Sequence, residues 1–132
     1  MRGMTRLARI LLAATVLATT GALAAGKVVP RFTAYFTPAF TDAAYQKAAA
    51  DKVLKKWKAP AGAPVGKRTV LMTQIGKDGS VVSVKENMVT GFKPWDDAAR
   101  AAVQAAAPFA PLPKSWGQPT MEVHFHFEAA AK

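Results

Sequence analysis

The chain has two histidines, His124 and His126, in the run Met121-Glu122-Val123-His124-Phe125-His126-Phe127, and Glu122 and Glu128 recur in phase with them. Imidazole and carboxylate are ordinary ligands of divalent metals, so this row is the first candidate for chemistry. Strict alternation puts the four polar residues on one face of a strand and Val123, Phe125 and Phe127 on the other. Neither helix read below offers an identifiable further ligand, so a solvated polar face is expected there and no metal. Catalysis has less support still. There is no cysteine, no G-x-S-x-G, no phosphate-cradling glycine loop and no zinc-protease helix. Asp96 and Asp97 follow Pro94 and suit the first turn of a helix, where carboxylates complement the dipole. No catalytic residue, cofactor or small-molecule substrate is expected.

Charge is the other chemical resource. Lys47, Lys52, Lys55, Lys56 and Lys58, with Lys67 and Arg68 beyond, concentrate positive charge near the end of one helix, and the whole chain carries +10. A solvated face accounts for such a cluster; its functional counterpart is a patch for an anionic partner. No nucleic-acid-binding motif accompanies the charge, and none of that class of partner is expected.

The elements that must position these residues begin after an N-terminal segment of a different kind. Arg2, Arg6 and Arg9 precede the apolar run Ile10–Ala18, Gly21 breaks it, and Ala22-Leu23-Ala24 supplies the small residues of a cleavage site. Residues 1–24 therefore read as a secretory signal, cut before Ala25 or, next best, before Gly26. An uncleaved anchor is the alternative. The uncharged stretch Ile10–Gly26 is 17 residues, about 25 Å as a helix against a hydrocarbon core of roughly 30 Å. Cut before Ala25, the chain keeps 15 Lys+Arg against 8 Asp+Glu, a charge of +7. Such a length suits one small domain, held by packing in the absence of disulfides.

Residues 25–40 form a lead-in whose alternation assigns no element; an extra strand or an extended arm held by its aromatics both fit. Thr41 or Asp42 caps a helix to about Lys58, with Tyr45, Ala49, Val53 and Trp57 as its apolar stripe. Arg68–Ile75 is a strand, Gly76-Lys77-Asp78-Gly79 a hairpin turn and Ser80–Val89 the return strand. Pro94 opens a second helix with Ala99, Val103 and Ala106 as its small packing face, and Arg100 lies four residues beyond Asp96. Pro108-Phe109-Ala110-Pro111-Leu112-Pro113 is a stiff connector, and Met121–Phe127 the clearest strand. The order α-β-β-α-β predicts an α+β domain over 41–128, a three-stranded antiparallel sheet with two helices on one face, and 129–132 as a tail.

Tyr45, Trp57 and Pro60, the run Ile75-Gly76-Lys77-Asp78-Gly79-Ser80-Val81, then Thr90-Gly91, Asp97-Ala98-Ala99 and the Pro108–Pro113 connector resemble, in order, the motifs of the C-terminal domain of the TonB/TolA energy-transducer family. The closing strand Val123–Phe127 is similar to that family's last strand, and the resemblance covers roughly Tyr45–Phe127. It implies a periplasmic, non-enzymatic module whose partners are envelope or outer-membrane receptor proteins, with extended peptides caught on the edge of the final strand. The long Pro-rich spacer of full-length transducers is missing, which favours a free periplasmic binding module. An inner-membrane-tethered component of energy transduction to outer-membrane transport is the alternative if the signal is not cleaved.

The partner site expected on these grounds is the backbone edge of the last strand: Met121, Glu122, Val123, His124, Phe125, His126 and Phe127. An uncovered edge presents unpaired N–H and C=O groups to an incoming strand. Occupation of that edge by the Val28–Phe36 arm or by a second copy, as a homodimer, is the competing arrangement.

Overall fold

A computed structural model describes residues 28–132; residues 1–24, read above as a secretory signal, lie outside the described residues. Six elements follow in the order β1 (Val28–Phe36), α1 (Ala43–Lys56), β2 (Arg68–Gly76), β3 (Val81–Met88), α2 (Lys93–Ala106) and β4 (Thr120–Ala131). The expected α+β class holds, but the sheet has four strands, not three, in the spatial order β1-β4-β2-β3, all antiparallel. The additional strand comes from the lead-in. Residues 28–36 alternate weakly, because as an edge strand β1 has none of its nine residues fully buried, and half-buried positions leave little periodic signal. Residues 129–131, read as tail, continue β4 beside β1.

Both helices lie on one face of the sheet. Asp42 caps α1, its carboxylate accepting from the Tyr45 N–H at 3.0 Å. Tyr45, Ala49 and Val53 bury the expected stripe, while Trp57 falls at the C-cap, half-buried. Its ring meets Trp95 at 4.9 Å and Phe127 at 4.8 Å. Pro94 sits in the first turn of α2, and Trp95, Ala99, Ala102, Val103 and Ala106 bury its inner face. Leu71, Ile75, Met121, Val123, Phe125 and Phe127 rise from the sheet to meet the helices. Arg100 does not pair with Asp96, as its spacing suggested; it reaches Glu86 on β3 and, at 3.9 Å, Asp97.

The chain segments that resemble family motifs interlock. Gly79, at φ +91°, ends the β2–β3 turn. There its carbonyl accepts from Phe109 N–H at 2.8 Å, and the Lys77 carbonyl from Leu112 N–H at 2.9 Å. The Tyr45 hydroxyl donates to the Ala110 carbonyl at 2.7 Å, and burial pushes its pKa up to about 12. One stiff connector thus ties the hairpin turn to the first helix.

Candidate partner-binding surface

Met121, Val123, Phe125 and Phe127 are at most 1 % exposed, packed under the helices. Glu122, His124 and His126 lie on the opposite, helix-free face and are half-buried. The seven residues expected to receive a partner are therefore one strand with two chemistries: apolar side chains committed to the core, and polar ones on the open face. What they offer a partner is mainly backbone, and that backbone is engaged. β4 lies inside the sheet, paired with β2 over Thr120–Glu128 and with β1 over Val123–Ala131. The expectation of a free edge at β4 is thus corrected: the Val28–Phe36 arm holds it. Sequence reasoning had no means to rank an arm of low periodicity against an empty edge. The signal available was the alternation of Phe32, Ala34 and Phe36, the three side chains that pack on the core.

The open face is knit by local contacts. His124 Nε2 lies 2.6 Å from Glu122 Oε2, and Gln74 donates to the other Glu122 oxygen at 2.7 Å. Tyr35, 55 % exposed, stands edge-on to His126 at 4.6 Å. Burial lowers the His126 pKa, and Arg68 and His124 lower it further against the opposing pull of Glu128. Among the described residues no group of three or more His, Cys, Asp or Glu is arranged to hold a metal. The row is a hydrogen-bonded surface whose carboxylate is already shared.

The acidic pair at the start of α2 divides in a way its sequence did not announce. Asp97, the residue matched above to the family motif, is exposed and pairs with Lys93 at 2.7 Å. Asp96 is buried, 8 % exposed. Its carboxylate accepts from the hydroxyls of Thr69 (2.7 Å) and Thr90 (2.9 Å) and from the N–H groups of Thr90 (3.0 Å) and Gly91 (3.2 Å). Burial pushes its pKa up, but those four donors outweigh burial and hold it below the usual carboxylate value. A carboxylate so engaged fastens β2 and the Thr90-Gly91 turn to α2. The lysines of α1 remain at the surface, Lys47 paired with Asp51 at 2.9 Å and Lys52 donating to the Pro108 carbonyl at 2.6 Å. No helix among the described residues is long and apolar enough to cross a membrane.

A four-stranded antiparallel sheet in the order β1-β4-β2-β3, backed by two helices on one face and open on the other, defines a class of small α+β domain. The family model described as TonB C terminal matches residues 42–127, and the chain belongs to that family. Membership makes it a TonB-like envelope protein-interaction domain, of a non-catalytic kind whose partners are proteins. No curated protein and no solved structure matches the chain. The matched segment runs from the α1 cap to Phe127 and leaves β1 outside it.

Proposed function

We propose that this chain is a periplasmic module that holds an extended segment of an envelope or outer-membrane receptor protein as an added strand of its sheet, along Met121–Phe127. The observation that carries this is the position of β4. Its core side is fixed by Val123, Phe125 and Phe127, so the register of anything pairing with it is fixed too. Main-chain pairing gives affinity with little dependence on partner sequence, and selection then falls to the surrounding charge. The net charge of the chain is positive, which favours acidic segments at long range. The segment replaces β1, the neighbour β4 now has on that side.

An NMR titration with an acidic extended peptide, such as the N-terminal segment of an outer-membrane receptor, tests the proposal. Shifts clustered on the amides of residues 121–128 and on β1 are expected. Shifts confined to the surface from Lys52 to Arg68 would refute it.

A further inference from the structure

We propose that β1 is a built-in occupant of the partner seat, an exchangeable strand that an extended peptide of like pattern displaces. The proposal rests on strand addition as the mode of binding and names what controls it. Three independent features of β1 carry it.

The first is its place in the chain. β1 lies outside the segment that matches the family, Asp42–Phe127, whereas β2, β3 and the Thr120–Phe127 part of β4 lie inside it. The second is its weak hold. Its nine residues pair with one strand only, and none is fully buried, whereas its partner β4 is buried at half its positions. Phe32 is its main anchor, 5.9 Å from Phe125 and 5.1 Å from Phe127. β1 keeps a full nine-pair ladder to β4, but it is held from one side and has no fully buried residue, and an edge element of this kind can open before the fold does.

The third is the direction of its hydrogen bonds. Thr37 N–H donates to the Glu122 carbonyl at 3.2 Å. Antiparallel pairing alternates, so Tyr35, Thr33 and Arg31 form the bonded pairs with His124, His126 and Glu128. Pro30 falls on the other phase, and its missing N–H points away from β4. The proline therefore costs the β1–β4 ladder nothing and interrupts the outer edge, where a further strand would have to add. The seat on β4 is well formed and the outer side of its occupant is not. A displacing peptide needs what β1 supplies: apolar side chains at every second position, an aromatic where Phe32 sits, and polar residues between.

The same alternation gives a test that needs no ligand. In β4 the amides of His124, His126 and Glu128 point to β1, and those of Val123, Phe125 and Phe127 point to β2. If β1 detaches locally, hydrogen exchange alternates along one strand, the first set exchanging roughly tenfold or more faster than the second. Uniform exchange along β4 would overturn the proposal, since β1 would then leave only with global unfolding.

The second test is a reversible lock, clean because the chain has no cysteine. Thr33→Cys with His126→Cys joins a directly opposed pair, whose Cα spacing of about 5.5 Å a disulfide can bridge. The probe is a labelled peptide with the sequence of β1 and the next residue, VVPRFTAYFT. The reduced protein should bind it, and the oxidised protein should lose binding roughly tenfold or more. In the otherwise wild-type chain, Phe32→Ala should tighten binding by at least about tenfold, because a weaker resident strand competes less. Equal binding to the locked and reduced forms would overturn the exchangeable strand and, with it, pairing along Met121–Phe127. Binding lost on locking but not tightened by Phe32→Ala would overturn β1 as the competitor and leave pairing along β4 standing. No binding to any form would overturn both.

Discussion

Replacing Gly79 by alanine tests how far the fold depends on the clasp between hairpin turn and connector. At φ +91° a side chain is strained wherever it points, by about 1–2 kcal/mol. Space adds to that. A Cβ on Gly79 would stand 2.7 Å from the Phe109 carbonyl carbon and 2.8 Å from the Ala110 oxygen, and closer still to the Phe109 oxygen. All are backbone atoms, which cannot swing aside as a side-chain end can. The connector must move off, and the bonds from Phe109 to Gly79 and from Leu112 to Lys77 go with it, at about 1 kcal/mol each. With some loss of Phe109 and Leu112 packing, the total is about 4 kcal/mol or more. Gly66 is the control. Its φ is +88°, but nothing lies within 4 Å of a Cβ there, so Gly66→Ala should cost only the strain. Urea unfolding followed by tryptophan fluorescence reads the difference, and the melting temperature of Gly79→Ala should fall by roughly 15 °C. Equal losses for the two variants would refute the clasp.

The two central tryptophans should part company on substitution by phenylalanine. Trp95 Nε1 donates to the Phe127 carbonyl at 3.0 Å, whereas Trp57 Nε1 is buried with no partner. Trp95→Phe should therefore cost about 1–3 kcal/mol and Trp57→Phe much less, while Trp57→Ala should cost about 3 kcal/mol or more, all read from thermal midpoints. Asp96 should confer pH dependence: its folded pKa is lowered, so its stabilisation is complete above the unfolded value near 4 and fades as pH falls through the folded one. Asp96→Asn should flatten that acid limb in urea titrations, and an unchanged slope would count against the four-donor carboxylate. Equimolar zinc or nickel should leave the melting temperature unchanged, and a rise abolished by His124→Ala would reverse the assignment of the histidine row. Mass spectrometry of the native protein should find the mature N-terminus at Ala25 or Gly26.

Most of the fold was legible in the sequence because its local signals agree with one another. The α1 stripe, the Asp-Gly turn, Pro94 at a helix start and the alternation of β4 each name an element, and each element formed within a few residues of its expected bounds. What stayed hidden depended on contacts between distant segments. β1 is strand only because β4 is there to pair with it. Asp96 and Asp97 look alike in sequence, and only the approach of Thr69, 27 residues away, and of the Thr90 turn separates a buried anchor from a surface ion pair. The Pro108–Pro113 connector reads as a stiff spacer until its N–H groups are seen to meet the turn at Lys77 and Gly79.

That division bears on where specificity lies. Tyr45, Trp57, Gly79, Thr90-Gly91 and the connector carry most of the family resemblance, and each is occupied with another part of the same chain: a carbonyl, a ring, a turn or a carboxylate. Such residues keep a sheet in shape and leave no side chain over for a ligand. The groups that can differ between partners are those facing the open side of β4 and its neighbour, namely Arg31, Thr33 and Tyr35 opposite Glu128, His126 and His124. Within one antiparallel pairing the directly opposed residues form the unit of recognition, each worth a fraction of a kcal/mol. A peptide that displaces β1 must better the sum of those pairs together with the Phe32 contacts. On the exchangeable-strand proposal, β1 sets a threshold for partners: sequences that merely extend should fail it, and those that match its alternation should pass.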